Sequence, residues 1–203
     1  MRARDGLGRI ADAVSLACNP SLWGGGFVAF LALRLGAPGT TRGLAAAIGF
    51  AFVGAIPVGL LFVLRALGRL RDVQMAIRAE RGLVYAACAV SYGIGTALLL
   101  AIGAPWPVWG VVAAHIPATL VLAVLNRRSK VSIHAAGLGG IVAAGWILFG
   151  GAAWPLALVL LAGGWGRWAA GAHTPGELAT GAGVGVVGTG LGLIVVRWLA
   201  GAA

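Results

Sequence analysis

Charged side chains are scarce in this chain, and acidic ones are scarcest of all. Of its 203 residues, five are Asp or Glu and 15 are Lys or Arg, so that charged residues make up 10% of the sequence and hydrophobic residues 60%. Soluble domains carry about 25% charged residues. This composition excludes an ordinary soluble globular domain, and we interpret the chain as an integral membrane protein.

Cysteine is nearly absent as well. The two cysteines, Cys18 and Cys88, lie in different apolar neighbourhoods and lack the spacing of metal ligands. We interpret both as small buried hydrophobic residues, with no disulfide framework and no redox role. The sequence gives no sign of a metal site or of a cofactor.

Long apolar runs occupy most of the sequence, and none alternates with the period of two that a transmembrane β-strand needs. Several approach the length of about 20 residues with which a helix crosses a membrane. We therefore predict an all-α, polytopic transmembrane bundle of six or seven spans, forming one domain over residues 1–203. The predicted spans are residues 21–36, 44–64, 83–103, 106–125, 135–150, 154–165 and 178–196.

Short polar segments separate these runs. Residues 150–155 predict a tight turn between the fifth and sixth spans, and residues 10–17 predict a helix at the membrane interface. The glycines of the last span favour close packing of its backbone against other helices. We therefore expect that span at the centre of the bundle.

The excess of positive charge lies mainly in loops, where Lys and Arg act as topology signals and contact lipid headgroups. We therefore expect contact with membrane lipids and no nucleic-acid partner; the oligomeric state is left open. One side predominates in cations, which predicts that it faces the cytoplasm, as in a bacterial-type inner membrane. The cations on that side are Arg2, Arg4, Arg9, Arg65, Arg69, Arg71, Arg78, Arg81, Arg127, Arg128, Lys130 and Arg167, against Arg34, Arg42 and Arg197 on the other.

Three polar segments lie on this same side, because an even number of predicted crossings separates each pair. They are residues 78–81, 130–134 and 167–177. Together they supply two histidines, the carboxylate of Glu177, a serine and several arginines. Guanidinium groups and helix N-termini both bind phosphate oxygens, so the sequence predicts a phosphate site where the three segments meet.

His173 and Glu177 are four residues apart, which places them on one helix face. A carboxylate bound to one ring nitrogen fixes the histidine tautomer and leaves the other nitrogen to attack. His134 is then the acid that protonates the departing oxygen. The third histidine, His115, lies inside an apolar span and is interpreted as an interhelical hydrogen-bonding residue.

The spacing of Arg167, His173 and Glu177 resembles the third motif of the type 2 phosphatidic acid phosphatase superfamily. Ser132 and His134 occupy the place of its second motif, and Arg81 that of the first motif's arginine. The resemblance implies that His173 forms a phosphohistidine without a metal, that Glu177 orients it and that His134 is the general acid. It also implies that Arg81, Ser132 and Arg167 hold the phosphate.

Six positions depart from the family pattern, namely Gln74, Gly82, Val131, Ile133, Gly166 and Glu177. The family usually has lysine at the position of Gln74, and Arg78, Arg71 or Lys130 is placed to supply that cation. At the position of Glu177 the family has aspartate. The resemblance predicts an enzyme that hydrolyses a phosphate or diphosphate ester of a polyprenyl or glycerolipid substrate. The alternatives are a non-catalytic membrane subunit that binds lipid phosphates, and a phosphotransferase on the same fold.

Overall fold

The computed structural model describes residues 6–36, 40–71 and 77–202, and the helices there confirm the predicted all-α membrane bundle. No strand occurs within these ranges. The helices are α1 (Gly6–Ala17), α2 (Pro20–Leu35), α3 (Thr40–Phe50), α4 (Ile56–Ala66), α5 (Arg81–Ala101), α6 (Trp106–Leu125), α7 (Ile133–Phe149), α8 (Trp154–Ala169) and α9 (Pro175–Leu199). A π-helical turn, Ala51–Ala55, joins α3 to α4, and 3₁₀ turns cover Arg78–Glu80 and Gly150–Ala153.

Six helical stretches in the described part of the chain are long and apolar enough to cross a membrane. The chain is therefore an integral membrane protein in contact with membrane lipids. One stretch, Ile133–Ala169, contains both α7 and α8, which the sequence analysis had separated into two spans. This difference accounts for the predicted count of six or seven.

Helices α7 and α8 run antiparallel because the chain reverses between them. Gly150 has a φ of +58°, which favours glycine, and it ends α7. Close to the turn, Gly145 of α7 packs against Leu156 of α8. Farther from the turn, Gly163 of α8 packs against Leu138, which lies near the start of α7. The reversal brings the end of α8 back to the level at which α7 begins.

Helix α9 crosses α7 at very close range. A Cβ atom at Gly139 would lie 2.6 Å from the carbonyl oxygen of Ala182, and Gly181 and Gly185 are in contact with the backbone of Ser132 and Ala136. Gly192 packs in the same way on α6, where an added Cβ would lie 3.1 Å from the Ala114 Cα. Small residues permit such backbone contacts where lipid offers no competing hydrophobic force. The beginnings of α7 and α9 are thereby held side by side.

Helix α1 packs across the last turns of α8. Gly166 lies against the backbone of Ala11 and Ser15, where an added Cβ would approach within 2.9 Å. The chain then turns at Asn19, whose side-chain oxygen accepts a hydrogen bond from the Ser21 N–H and begins α2. One face of α1 therefore covers the last turns of α8.

Candidate active site

A cavity of about 520 Å³ opens between α1, α2, α4, α5 and α7. At one end it is lined by polar side chains, namely Asp12, Ser15, Arg81, His134, Arg167 and His173. Its side wall is apolar and includes Val53, Pro57, Val58, Leu61, Phe62 and Val84. The cavity thus joins a charged end to an apolar space within the membrane-spanning part of the bundle.

His173 and Glu177 form a hydrogen-bonded pair at the charged end. The Nδ1 atom of His173 lies 2.8 Å from Glu177 Oε2. A carboxylate accepts hydrogen bonds, so this contact places a proton on Nδ1, which in the neutral ring leaves a lone pair on Nε2. The imidazole is therefore held in the tautomer that a nucleophilic Nε2 requires.

Glu177 also caps helix α9. Its Oε2 accepts a hydrogen bond from the Thr174 N–H at 3.3 Å, and Thr174 Oγ1 accepts one from the Glu177 N–H at 3.2 Å, which completes a capping box. The same carboxylate oxygen thus binds the histidine and the first turn of the helix. Glutamate is the standard residue for this position of a capping box, which gives the glutamate at position 177 a structural reason.

The loop between α8 and α9 fixes the backbone of His173. Gly171 adopts a φ of +68°, and the N–H groups of Ala172 and His173 both donate to the carbonyl oxygen of Arg167, at 3.0 and 3.3 Å. Lys130 Nζ donates to the Ala172 carbonyl oxygen at 2.8 Å. The histidine is consequently positioned by three contacts that do not involve its ring.

Burial lowers the pKa of His173, whose side chain sits in the cavity wall with the residue only 8% exposed. The hydrogen bond to Glu177 acts in the opposite direction and raises that pKa, while the positive charges of Arg167, Lys130 and Arg81 lower it. The net direction is downward from the ordinary value of 6.5. His173 is therefore neutral at physiological pH, with Nε2 available as a nucleophile.

Arg81 reaches the cavity from the beginning of α5. The residue is 2% exposed, and its Nη1 donates to the Val131 carbonyl oxygen at 2.8 Å. This bond ties α5 to the segment that precedes α7. Arg81 and Arg167 place two guanidinium groups in the wall that also contains His173, an arrangement that favours an anion.

His134 lines the same cavity from the first turn of α7. Its Nε2 atom is buried and has no hydrogen-bond partner in the described ranges. Gly163 of α8 lies opposite, and a Cβ there would come within 3.2 Å of this nitrogen. Turning Nε2 toward a molecule in the cavity would therefore break no hydrogen bond made by that atom.

The structure does not bring the hydroxyl of Ser132 to the cavity. Ser132 is fully buried, and its Oγ accepts a hydrogen bond from the Ala135 N–H at 3.2 Å as the N-cap of α7. Its backbone N–H donates to the Glu177 carbonyl oxygen at 3.2 Å. Ser132 thus joins the second and third polar segments, and its hydroxyl is engaged in a helix cap.

The remaining predicted phosphate ligands occupy different surroundings. Lys130 lies close enough to lower the pKa of His173, although it does not line the cavity. Arg78 is exposed, its Nη1 donates to the Arg128 carbonyl oxygen at 2.9 Å, and its own carbonyl oxygen accepts from Asn126. Arg78 therefore fixes the loop that precedes α7. Gln74 lies outside the described residues.

Several polar residues that line the cavity were not among the predicted site residues. Asp12 and Ser15 lie on α1, Asn19 follows that helix, and Tyr92 and His115 line the cavity from α5 and α6. The i, i+3 spacing of Asp12 and Ser15 was a usable signal, since it places them on one helical face. No comparable signal in the sequence predicted that His115 lines the cavity, because its position depends on how α6 packs against α5 and α7.

Comparisons of the chain with protein-family models, with curated proteins and with solved structures found no match. Across residues 6–36, 40–71 and 77–202, no group of three or more His, Cys, Asp or Glu side chains is arranged to hold a metal ion. The site and the fold define the class, which is a helical integral membrane protein with a paired histidine and carboxylate beside a cationic cavity.

Proposed function

We propose that the protein hydrolyses a phosphate or diphosphate ester of a lipid through a phosphohistidine intermediate, as its resemblance to type 2 phosphatidic acid phosphatases implies. The observation that carries this proposal is the 2.8 Å contact between His173 Nδ1 and Glu177 Oε2 in a cavity that Arg81, Arg167 and His134 also line. A nucleophile, a carboxylate that orients it, cations and a second histidine meet in one place.

In the first step, His173 Nε2 attacks phosphorus and a P–N bond forms as the P–O bond to the lipid breaks. The electron pair of that P–O bond leaves with the lipid oxygen, which takes a proton from His134 and gives the free lipid alcohol or monophosphate. The negative charge of the bound phosphate favours the protonated form of His134 that this step requires. Glu177 stabilises the positive charge that develops on the His173 ring. Arg81 and Arg167 stabilise the negative charge on the phosphoryl oxygens.

In the second step, water attacks the phosphohistidine and the P–N bond breaks. His134, now neutral, accepts a proton from the attacking water, which restores its acid form. The electron pair of the P–N bond returns to His173 Nε2, and inorganic phosphate leaves. The side chains supply the nucleophile, the acid and the charge stabilisation, so the proposed reaction needs no metal ion.

The apolar cavity wall supports a lipid as the substrate. Val53, Pro57, Val58, Leu61 and Phe62 continue from the charged end into the bundle, where a hydrocarbon chain is favoured over water. A polyprenyl phosphate, a polyprenyl diphosphate and a glycerolipid phosphate all have the required combination of an anionic head and an apolar chain. We place the protein in a bacterial-type inner membrane, with the phosphate site toward the cytoplasm.

Phosphate release by the purified protein in detergent tests this function. We expect release from at least one member of a panel of prenyl phosphates, prenyl diphosphates and glycerolipid phosphates, and we expect EDTA to leave the rate unchanged. Binding of these lipids without release would favour the non-catalytic subunit. Faster turnover on addition of an alcohol, with the phosphate recovered on that alcohol, would favour a phosphotransferase.

The substitution Lys130→Gln is expected to move the acid limb of kcat/KM to higher pH. His173 must be neutral to attack, so activity falls as pH drops through its pKa, which lies below 6.5. Lys130 disfavours the protonated ring, and removal of its charge raises that pKa. A pH–rate profile measures the shift, with Arg127→Gln as the matched control from the same loop. An unmoved limb, or one moved to lower pH, would contradict the assigned electrostatics.

Labelling in intact cells tests the orientation. Ser129 is exposed in the loop between α6 and α7, on the side of the charged end of the cavity. In a Ser129→Cys variant lacking Cys18 and Cys88, we expect a membrane-impermeant maleimide to label the protein only after the cells are permeabilised. Labelling before permeabilisation would place the site on the outer side.

A further inference from the structure

The inner part of the cavity carries a polar group that the proposed hydrolysis does not use. His115 lies in the middle of α6, is 7% exposed, and lines the same cavity as His173 and Arg81. Its ring makes an edge contact with Tyr92, with the centroids 5.7 Å apart. A histidine this deeply buried is costly unless its ring nitrogens are satisfied.

Within residues 6–36, 40–71 and 77–202, one ring nitrogen of His115 has a hydrogen-bond partner. Nδ1 lies 2.7 Å from the Val111 carbonyl oxygen, and because a carbonyl only accepts, Nδ1 carries the proton. Nε2 is therefore a lone-pair acceptor. No described residue donates a hydrogen bond to it.

The position of His115 sets its distance from the phosphate end. On α7, His134 and Gly137 line the cavity, and Gly140 lies about one turn beyond Gly137. His115 Nε2 lies 3.3 Å from where a Gly140 Cβ would be. The six residues from His134 to Gly140 correspond to about 9 Å along the helix axis. The free acceptor therefore lies well inside the apolar part of the cavity.

We propose that His115 Nε2 accepts a hydrogen bond from a hydroxyl group on the chain of the bound lipid, about 9 Å from the phosphate end. The proposal rests on the proposed function for the identity of the head group. It makes His115 a specificity-determining residue, which favours a lipid with a hydroxylated chain over a plain hydrocarbon. In a plain chain no group would satisfy Nε2, whereas a hydroxyl at this depth satisfies both partners.

Thr189 provides the matched comparison. Its Oγ1 is also buried without a hydrogen-bond partner in the described part of the chain, and it faces Gly140 from α9. Thr189 does not line the cavity. If His115 served helix packing alone, substitution of Thr189 should affect binding in the same way as substitution of His115. If His115 recognises the ligand, only its own substitution should change the preference for a hydroxylated chain.

Binding of phosphonic acids tests the proposal without requiring catalysis, because a phosphonate has no ester bond to hydrolyse. Calorimetry in detergent would compare alkylphosphonic acids, from hexyl to dodecyl, with the same compounds bearing a terminal hydroxyl. For one chain length, we expect the affinity of the hydroxylated compound for the wild-type protein to be about three- to tenfold higher than its affinity for the His115→Phe variant. Plain alkylphosphonic acids should bind both proteins alike, and Thr189→Val should keep the wild-type preference.

Equal affinity of wild type and His115→Phe for every hydroxylated compound would overturn the proposal. An equal loss of affinity for plain and hydroxylated compounds would also overturn it, since that pattern indicates a packing role. Binding that discriminates as expected, without phosphate release from any lipid phosphate, would reject the proposed hydrolysis and retain the inner site. Absence of binding by all the phosphonic acids would overturn the inner site, and phosphate release from a lipid phosphate would then decide the proposed hydrolysis separately.

Discussion

Replacement of His173 by alanine is expected to lower the rate of phosphate release by about 10⁴-fold or more, as loss of a nucleophile does in other covalent enzymes. The alanine variant keeps the backbone hydrogen bond from residue 173 to the Arg167 carbonyl oxygen. Cationic groups and His134 remain in the cavity, so binding of a lipid phosphate should be weakened far less than turnover. Initial rates and equilibrium binding, measured on the same preparation, separate the two effects.

The control for this variant is Arg127→Ala, which removes an exposed side chain on the same side of the protein. It should release phosphate at the wild-type rate. If His173→Ala kept more than a tenth of the wild-type rate while folding normally, His173 would not be the nucleophile. Thermal unfolding and gel filtration in detergent establish whether the variant is folded.

Glu177→Gln is expected to lower kcat by about 10³-fold with little effect on stability. Glutamine serves in a capping box as glutamate does, so the first turn of α9 should persist. It is neutral, however, and does not stabilise the positive charge that attack places on His173. Loss of an orienting carboxylate costs up to about 10⁴-fold in a comparable histidine site. Measurement of kcat together with the unfolding midpoint tests both parts.

Thr174→Ala gives the complementary result. It removes the Oγ1 atom that accepts from the Glu177 N–H but leaves the carboxylate beside His173. We expect a loss of about 1 kcal/mol in stability and a smaller loss in rate than in Glu177→Gln.

A large drop in stability with unchanged kcat in Glu177→Gln would show that Glu177 serves only the helix cap.

The helical fold was predictable because its signal is local. Apolar runs of membrane length predict membrane-spanning helices from the sequence alone. The interruption of one such run predicted the reversal near Gly150. The six membrane-length stretches confirm the helical class. The break between α7 and α8 leaves two helices of 17 and 16 residues, and a count of spans depends on how that pair is treated.

The site was predictable where it depends on spacing along one helix. His173 and Glu177, four residues apart, are in contact as the spacing indicated. The cap that the Ser132 hydroxyl forms on α7 is a local contact, whereas the burial of Ser132 depends on tertiary packing, because Gly181 of α9 lies against its backbone. His115 likewise depends on three helices, since its ring contacts Tyr92 and lies beside Gly140. Sequence periodicity carries no information about such contacts.

The central claim is that His173 becomes phosphorylated during turnover, and trapping of that intermediate tests it most directly. Protein mixed with a lipid phosphate labelled in its phosphoryl group would be quenched in alkali, in which phosphohistidine survives, and the labelled peptide would be mapped. We predict label on the peptide that contains His173, formed at least as fast as phosphate is released, and no label in His173→Ala. Release of phosphate by wild-type protein with no labelled intermediate, or with the label on another residue, would contradict the account.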